Sequence, residues 1–268
     1  MSGYSGSAEA IGHAGEILQG VLDGEVFLVT LPAPILRSLA TARRSCEWSI
    51  DPPTKLKSLR AAQLAAAGPF MLRIDSNIPA GRGYGSSTAD CVAAVRALAS
   101  LAPAQIAGIV HQAEAASDST MYGAEPVVFL PRQGRLLKPL HGSWPHAHVT
   151  VIDLGGDAVD TLATPLPTYS AVERKIFIDL LAKLEAAFAG GDLNQIAQVA
   201  TASTLIHQAH RPHPKWPVTY AALTAAGALG VATAHSGTLV AGLSLHALAI
   251  DADYRYELGL TQPCPSSS

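Results

Sequence analysis

Apolar positions along the chain recur with two periods. Residues 24–31, GEVFLVTL, place β-branched and apolar side chains in the alternation of a half-buried strand. Asp23-Gly24 ahead of them is a hairpin-turn signal, so residues 11–31 predict two paired strands. Further strands are predicted over residues 70–75, 127–130 and 149–153, the last ended by Gly155-Gly156. Helical spacing takes over elsewhere. Residues 51–68 open with Pro and close with Gly, and Leu56, Leu59 and Leu64 form the expected apolar side. Val92, Val95, Leu98 and Leu101 mark a helix buried against a sheet, and residues 104–116 form another. Ile176, Leu180, Leu184 and Phe188 repeat every four residues until Gly190-Gly191. Asp192 is placed to cap a following helix that runs to about residue 209. Two β-rich runs flank residues 235–238. Residues 1–10 read as a loose leader, 156–169 as a linker into a second, helical half, and 261–268 as a disordered tail.

Composition narrows the function classes. Of 268 residues, 49% are apolar and only 15% charged, which fits a globular chain with a substantial core. A net charge of −3 argues against a nucleic-acid groove, which needs a basic face. Three cysteines, Cys46, Cys91 and Cys264, are odd in number and unclustered, fitting neither a disulfide framework nor a CxxC metal site. The first ten residues lack the basic and apolar regions of a signal peptide. Residues 221–250 are very apolar, but Gly, His, Ser and Thr interrupt them too often for a membrane span. The expected location is the cytoplasm.

The chemistry concentrates in residues 75–95, DSNIPAGRGYGSSTADCVAAV. Pro79, Gly81, Gly83, Tyr84, Gly85, Ser86, Ser87 and Thr88 lie between a strand and an Ala/Val-rich helix. Glycines let a backbone approach a bulky anion closely. The N–H groups and dipole of a helix start attract phosphate, and serine hydroxyls can bind phosphate or Mg²⁺. The glycines alone are equally compatible with a flexible turn capped by Ser86 or Ser87. A P-loop is excluded because no Lys precedes the serines. The dinucleotide fingerprint fails because position 86 is Ser and no acid lies near residue 105. Downstream, Glu114 is followed four residues later by Asp118 within EAASDSTMYG, two acids that could serve a metal and an acceptor hydroxyl. Asp118 would equally suit an N-cap in a turn. Residues 15–20, GEILQG, read by themselves as a bulged strand with exposed Glu16 and Gln19. His207, His210 and His213 invite a zinc reading, but Pro212 ends the helix first, and a surface helix end is the simpler account. His141, His146 and His148 read as surface or strand-face residues.

The string P-x-G-x-G-x-G-S-S-x-A over residues 79–89 resembles the ATP loop of the GHMP kinases, with Tyr84 and Thr88 as departures. Residues 15–20, the SDST segment at 117–120 and AHSGT at 234–238 further resemble one branch, the L-threonine kinases of cobalamin salvage and assembly. Ala14 stands where that branch often has Cys. The resemblance spans about residues 11–250.

It implies an α+β GHMP kinase fold of two mixed lobes, residues 1–155 with the ATP loop and 156–268, with the active site between them. It implies ATP and Mg²⁺, with Ser87 and Glu114 on the metal and Asp118 as general base or orienting group. Glu16, Gln19, His235 and Ser236 become expected acceptor contacts, Glu16 as partner of a substrate ammonium. The implied product is O-phospho-L-threonine. Another hydroxy amino acid or small alcohol, or a nucleotide-binding homologue without turnover, stays open as an alternative. No nucleic acid or membrane is expected as a partner, and a homodimer is compatible with the reading.

Overall fold

The computed structural model describes residues 5–156 and 167–259. The linker expected over 156–169 falls largely, and the tail over 261–268 wholly, outside the described residues. Among the described residues the fold is a mixed α/β arrangement built on one curled sheet. Two long antiparallel strands form its spine, β1 (Ser5–Leu22) and β2 (Glu25–Arg44), joined at Asp23-Gly24 as the turn signal requires. The leader expected over residues 1–10 is corrected from Ser5 onward. There the chain pairs with the far end of β2, Ser5 opposite Arg43, so a weakly patterned segment is ordered by its partner strand.

Beyond the spine follow β3 (Ser49–Asp51), α1 (Leu56–Ala65), β4 (Phe70–Ser76), α2 (Ser86–Leu98) and α3 (Pro103–Glu114). Then come β5 (Val127–Leu130), β6 (Arg135–Pro139) and β7 (Ala147–Asp153). The remaining elements are α4 (Ala171–Gly190), α5 (Leu193–His210), α6 (Trp216–Ala225), β8 (Gly230–Thr233), β9 (Leu239–Ser244) and β10 (Tyr254–Leu258). Strand order is β10-β7-β9-β8-β1-β2-β4-β3, with β5 joining β2 to β6. The β3, β6, α6 and β10 elements were not anticipated from periodicity. Each is short, and tertiary contacts rather than local pattern define them.

The long β1–β2 ladder is interrupted by bulges between Ile11 and Gly12, between His13 and Glu16, and between Glu16 and Leu18. A bulge bends a strand and re-aims its side chains. Residues 13–16 therefore leave the simple in–out alternation, and this positions the site. The α2 helix is buried on nearly all sides, from Thr88 to Leu98, as its Ala/Val content permits. Leu101 lies beyond its end. On α1 the buried face is Ser58, Ala61 and Ala62, while Leu56 and Leu64 are exposed. The expected Leu face is thus corrected at Leu56 and Leu64, while Leu59 does pack against the core: α1 lies close to α2, and small side chains permit that approach. The α4 helix carries the expected stripe at Leu180, Leu184 and Phe188, but Ile176 is exposed and Phe177 takes its place in the core; its capping box joins Ser170 and Glu173. Asp192 caps α5 by accepting from the Gln195 N–H. Among the described residues no helix is long and apolar enough to cross a membrane.

Where α5 crosses β8, a Cβ on Gly230 would sit 2.0 Å from the Ala197 carbonyl oxygen. Backbone cannot yield as a flexible side chain can. Gly230→Ala should cost about 2–3 kcal/mol, read as a Tm fall of roughly 5–10 °C. Gly108, inside α3 with open space around it, should instead gain about 0.5–1 kcal/mol as Ala. Equal effects in denaturant titration would contradict this packing.

Candidate active site

The glycine loop ends on Gly85, the residue before α2, whose φ of +71° is left-handed. A Cβ there would also lie 2.4 Å from the His13 ring and 3.1 Å from Asp118 Oδ2. Only glycine therefore lets α2 begin against the β1 bulge. The loop is fixed on both sides: the His13 N–H donates to the Tyr84 carbonyl at 3.0 Å, and the Thr238 N–H to the Arg82 carbonyl at 3.1 Å. On the second side Gly237 meets Gly83 so closely that a Cβ would fall 2.6 Å from the Gly83 Cα. The open amides of a helix start are thereby presented to a cavity of about 710 Å³.

Gly81, Gly83, Gly85, Ser86, Ser87 and Thr88 all line this cavity. Tyr84 and Pro79 do not. The Tyr84 ring is buried and packs edge-on against Tyr254 at 5.7 Å, so the loop is anchored through Tyr84 into the core. In the cavity wall the Ser87 and Thr88 hydroxyls each donate to a separate oxygen of Glu114 at 2.6 Å. Lys57 Nζ stands 4.0 Å from the same carboxylate. Burial pushes the Glu114 pKa up to about 7, against the opposing effect of the two hydroxyls. A buried carboxylate with adjacent hydroxyls is the hard oxygen set that Mg²⁺ takes, so the residues fit that ion.

Next to this cluster, His13 Nε2 lies 3.0 Å from Asp118 Oδ2, and His13 Nδ1 lies 4.0 Å from Glu16 Oε1. Burial alone would lower the His13 pKa, but the charge and contact of Asp118, with help from Glu16, raise it above its ordinary value. The converse holds for Asp118: burial opposes its ionisation, yet His13 holds its pKa below the usual range. Glu16 is buried beside both and is pushed up to about 7 by that burial. The exposed Glu16 and Gln19 of an isolated bulged strand are thus corrected, because β8 and the Asp118 loop cover them. Asp118 is further held through its backbone N–H, which donates to Thr88 Oγ1 at 3.3 Å.

His235 and Ser236 line the cavity, while Gln19 stands behind His235. His235 Nδ1 is 2.9 Å from Gln19 Oε1, and Gln19 Nε2 donates to the Thr233 carbonyl at 3.3 Å. Burial and the Arg211 charge lower the His235 pKa to about 4, so it is a neutral imidazole in this setting. His207, expected at a surface helix end, is instead buried 6.1 Å from the His235 ring, with its pKa lowered to about 3 mainly by burial. His210 pairs with Glu173 at 2.7 Å, so the three histidines of that segment do not converge.

Sequence reasoning passed over His13, Lys55, Lys57 and Arg132, all of which line the cavity. Lys55 Nζ meets Asp90 Oδ2 at 2.5 Å, and Asp90 also accepts from Ser38 Oγ at 2.6 Å. The only signal for His13 was its place two residues before Gly15, and local pattern carries no information that a bulge turns it inward.

Residues 55–124 match the family model for the GHMP kinases N terminal domain. No curated protein sequence matches the chain. Among solved structures, a putative homoserine kinase from Listeria monocytogenes aligns with a TM-score of 0.65 at 16% identity, covering 96% of each chain. Mevalonate kinase from methicillin-resistant Staphylococcus aureus aligns with a TM-score of 0.62 at 21% identity, covering 91% of each. Streptococcus pneumoniae phosphomevalonate kinase, in complex with phosphomevalonate and AMPPNP, aligns at 0.62 and 15%, covering 96% of this chain and all of the other. The chain has the GHMP kinase fold, and with the family-model match this supports a place in the GHMP kinase superfamily.

Glu16 and Glu114 keep protons in the folded chain up to about pH 7 that the unfolded chain releases near 4.5. The folded state binds more protons in that window, so stability falls as pH rises through it. His13, raised above 6.5, adds to the fall as it loses its proton. His207 and His235, lowered to about 3 and 4, act in the opposite sense, but only below about 6.5. Thermal denaturation of the unliganded protein should therefore show Tm falling from about pH 6.5 to pH 8.5, with a smaller fall in Glu114→Gln. A Tm that rises over that range would contradict the protonated cluster.

Proposed function

We propose that the protein is an ATP-dependent small-molecule kinase that phosphorylates the side-chain hydroxyl of L-threonine. The observation that carries this reading is the arrangement of one cavity, with the glycine loop and α2 start along its wall. The Ser87–Thr88–Glu114 cluster and the His13–Asp118 pair lie side by side on it, bridged by Thr88. The residue-19 and residue-235 motifs, 216 positions apart in sequence, meet within 2.9 Å beside it, as two parts of one acceptor pocket would.

In the proposed reaction the loop amides of residues 81–88 and the positive end of α2 hold the nucleotide phosphates. Ser87 and Glu114 hold Mg²⁺, which when bound offsets charge on the transferring phosphoryl group. The acceptor hydroxyl oxygen bonds to the γ-phosphorus as the bond from that phosphorus to the β,γ-bridging oxygen breaks, releasing ADP. Asp118 accepts or orients the hydroxyl proton, and His13 keeps Asp118 ionised and aimed. Glu16 faces the substrate ammonium when ionised. Neutral His235, held by Gln19, offers a hydrogen bond to the acceptor, and Ser236 a second polar contact. Positioning and electrostatics supply most of the acceleration in such transfers.

The reading is tested by Mg·ATP-dependent ADP release against L-threonine, L-serine, homoserine and small amino alcohols, with the product identified by mass. L-Threonine should give the highest kcat/KM, and a different best acceptor would keep the kinase and discard threonine. Nucleotide binding without turnover on any acceptor would favour a non-catalytic homologue. Asp118→Asn should bind ATP normally yet lose about 10²–10⁴ in kcat, and unchanged turnover would remove Asp118 from its role. In His13→Gln, kcat should fall while the KM for ATP holds, and the acidic limb of the pH–rate profile should move up as Asp118 loses its cationic neighbour. An unmoved limb would deny His13 the positioning role.

A further inference from the structure

Away from the cavity, the outer edge of the sheet carries a group of side chains that the kinase reading does not use. His148 lies in β7, and Glu257 is its partner across the antiparallel β7–β10 ladder. His146 precedes β7 by one residue, two positions from His148, and a period of two directs both imidazoles to the same face. His146 Nε2 is 3.3 Å from Glu257 Oε2, and His148 Nδ1 is 3.7 Å from Glu257 Oε1. The two rings meet edge-on at 5.3 Å instead of stacking. One carboxylate thus faces two imidazole nitrogens through separate oxygens, and one donor atom from each residue lies within 4.8 Å of the other two. His146 and Glu257 are exposed and His148 is half-buried, so the face is open to solvent.

The geometry points to a surface site for a divalent transition-metal ion, with His146, His148 and Glu257 as ligands and zinc as its best-suited occupant. Zinc binds imidazole nitrogen at about 2.0–2.1 Å and carboxylate oxygen at about 2.0–2.2 Å, so neighbouring donors around a tetrahedral ion stand about 3.3–3.5 Å apart. The two nitrogen–oxygen separations, 3.3 and 3.7 Å, involve different oxygens of Glu257, so rotation of the carboxylate brings one oxygen to both imidazoles, and one donor atom from each residue already lies within 4.8 Å of the others. Two imidazoles with one carboxylate form a mixed nitrogen–oxygen set that suits zinc and its neighbours better than Mg²⁺ or Ca²⁺. The fourth position is open to water. The ion would tie the edge strand β10 to β7, adding a cross-link on the solvent face of a border whose other face is held by buried Tyr256 and Leu258. It is separate from the Ser87–Glu114 cluster both in donor type and in place.

The test uses the full-length, untagged protein. Zn²⁺ titrated by calorimetry should bind one ion per chain in the micromolar range through this site. Saturation at about 100-fold above Kd should raise Tm by roughly 5 °C. Glu257→Gln and His148→Ala should each weaken that binding at least 10-fold, while their Tm without metal shows that they fold. Co²⁺ should give the visible absorption of a tetrahedral site in the parent protein and lose it in the same variants. Asp118→Asn should leave the binding intact, which separates this site from the His13–Glu16–Asp118 group in the cavity. Absence of saturable Zn²⁺ binding below about 100 μM would overturn the proposal. So would binding that survives in Glu257→Gln and His148→Ala, or binding lost in Asp118→Asn alone.

Discussion

The contact of Gly85 with the His13 ring is the constraint on which the site depends. It joins the phosphate-type loop, the bulged strand β1 and the Asp118 segment at one point. A side chain at position 85 would displace the His13 ring, which lies 2.4 Å from where its Cβ would stand. Because His13 also holds Asp118 at 3.0 Å, that displacement would reach the candidate catalytic carboxylate. On the other side, the close passage of Gly237 past Gly83 joins the loop to the β8–β9 turn. The loop is therefore clamped between two parts of the sheet, and the amides at the start of α2 are fixed before any ligand arrives. Preorganised donors of this kind require little rearrangement when charge develops in a reaction.

Electrostatics divides the cavity into two environments. Around Glu114, burial dominates and two hydroxyls only partly compensate, leaving a carboxylate ready to take up a proton or a cation. Around Asp118, burial is the largest single effect, but the His13 charge and hydrogen bond, with smaller help from His235 and Thr88, together outweigh it and the carboxylate stays ionised. Two acids four positions apart in the chain are thus driven in opposite directions by their neighbours. Separation of this sort allows one acid to serve a metal while the other serves a hydroxyl. Glu16 is the third buried acid of the cavity, and its raised pKa follows from burial next to Asp118.

Buried polar contacts behind the cavity wall hold its parts in register. Gln19 links His235 to the Thr233 carbonyl, and its own backbone N–H donates to Ser203 Oγ on α5 at 3.0 Å. The Lys55–Asp90–Ser38 group ties the segment leading into α1 to α2 and β2. Each contact satisfies a polar group that would be costly to bury alone, and each spans elements distant in sequence.

The chain's local order determined much of this protein. The Asp23-Gly24 turn, the strand at residues 127–130, the capped helix after Asp192 and the glycine loop before α2 all follow from turn chemistry, capping and periodicity, which act over a few residues. The string at residues 79–89 pointed to the fold only through its resemblance to the GHMP kinase loop, since glycines and hydroxyls at a helix start fit a simple turn equally well. Tertiary structure decided the rest. It made a strand of residues 5–10 by giving them a partner, turned α1 by its small face instead of Leu56 and Leu64, and buried Tyr84 and His207. It also brought His13 to Asp118, 105 positions away, and placed Gln19 behind His235. These outcomes depend on bulges and on strand neighbours, and neither leaves a periodic trace in the residues concerned. Short-range physics could nominate the loop and its two acids. Only the packing of β1 against that loop could select the histidine that governs one of them.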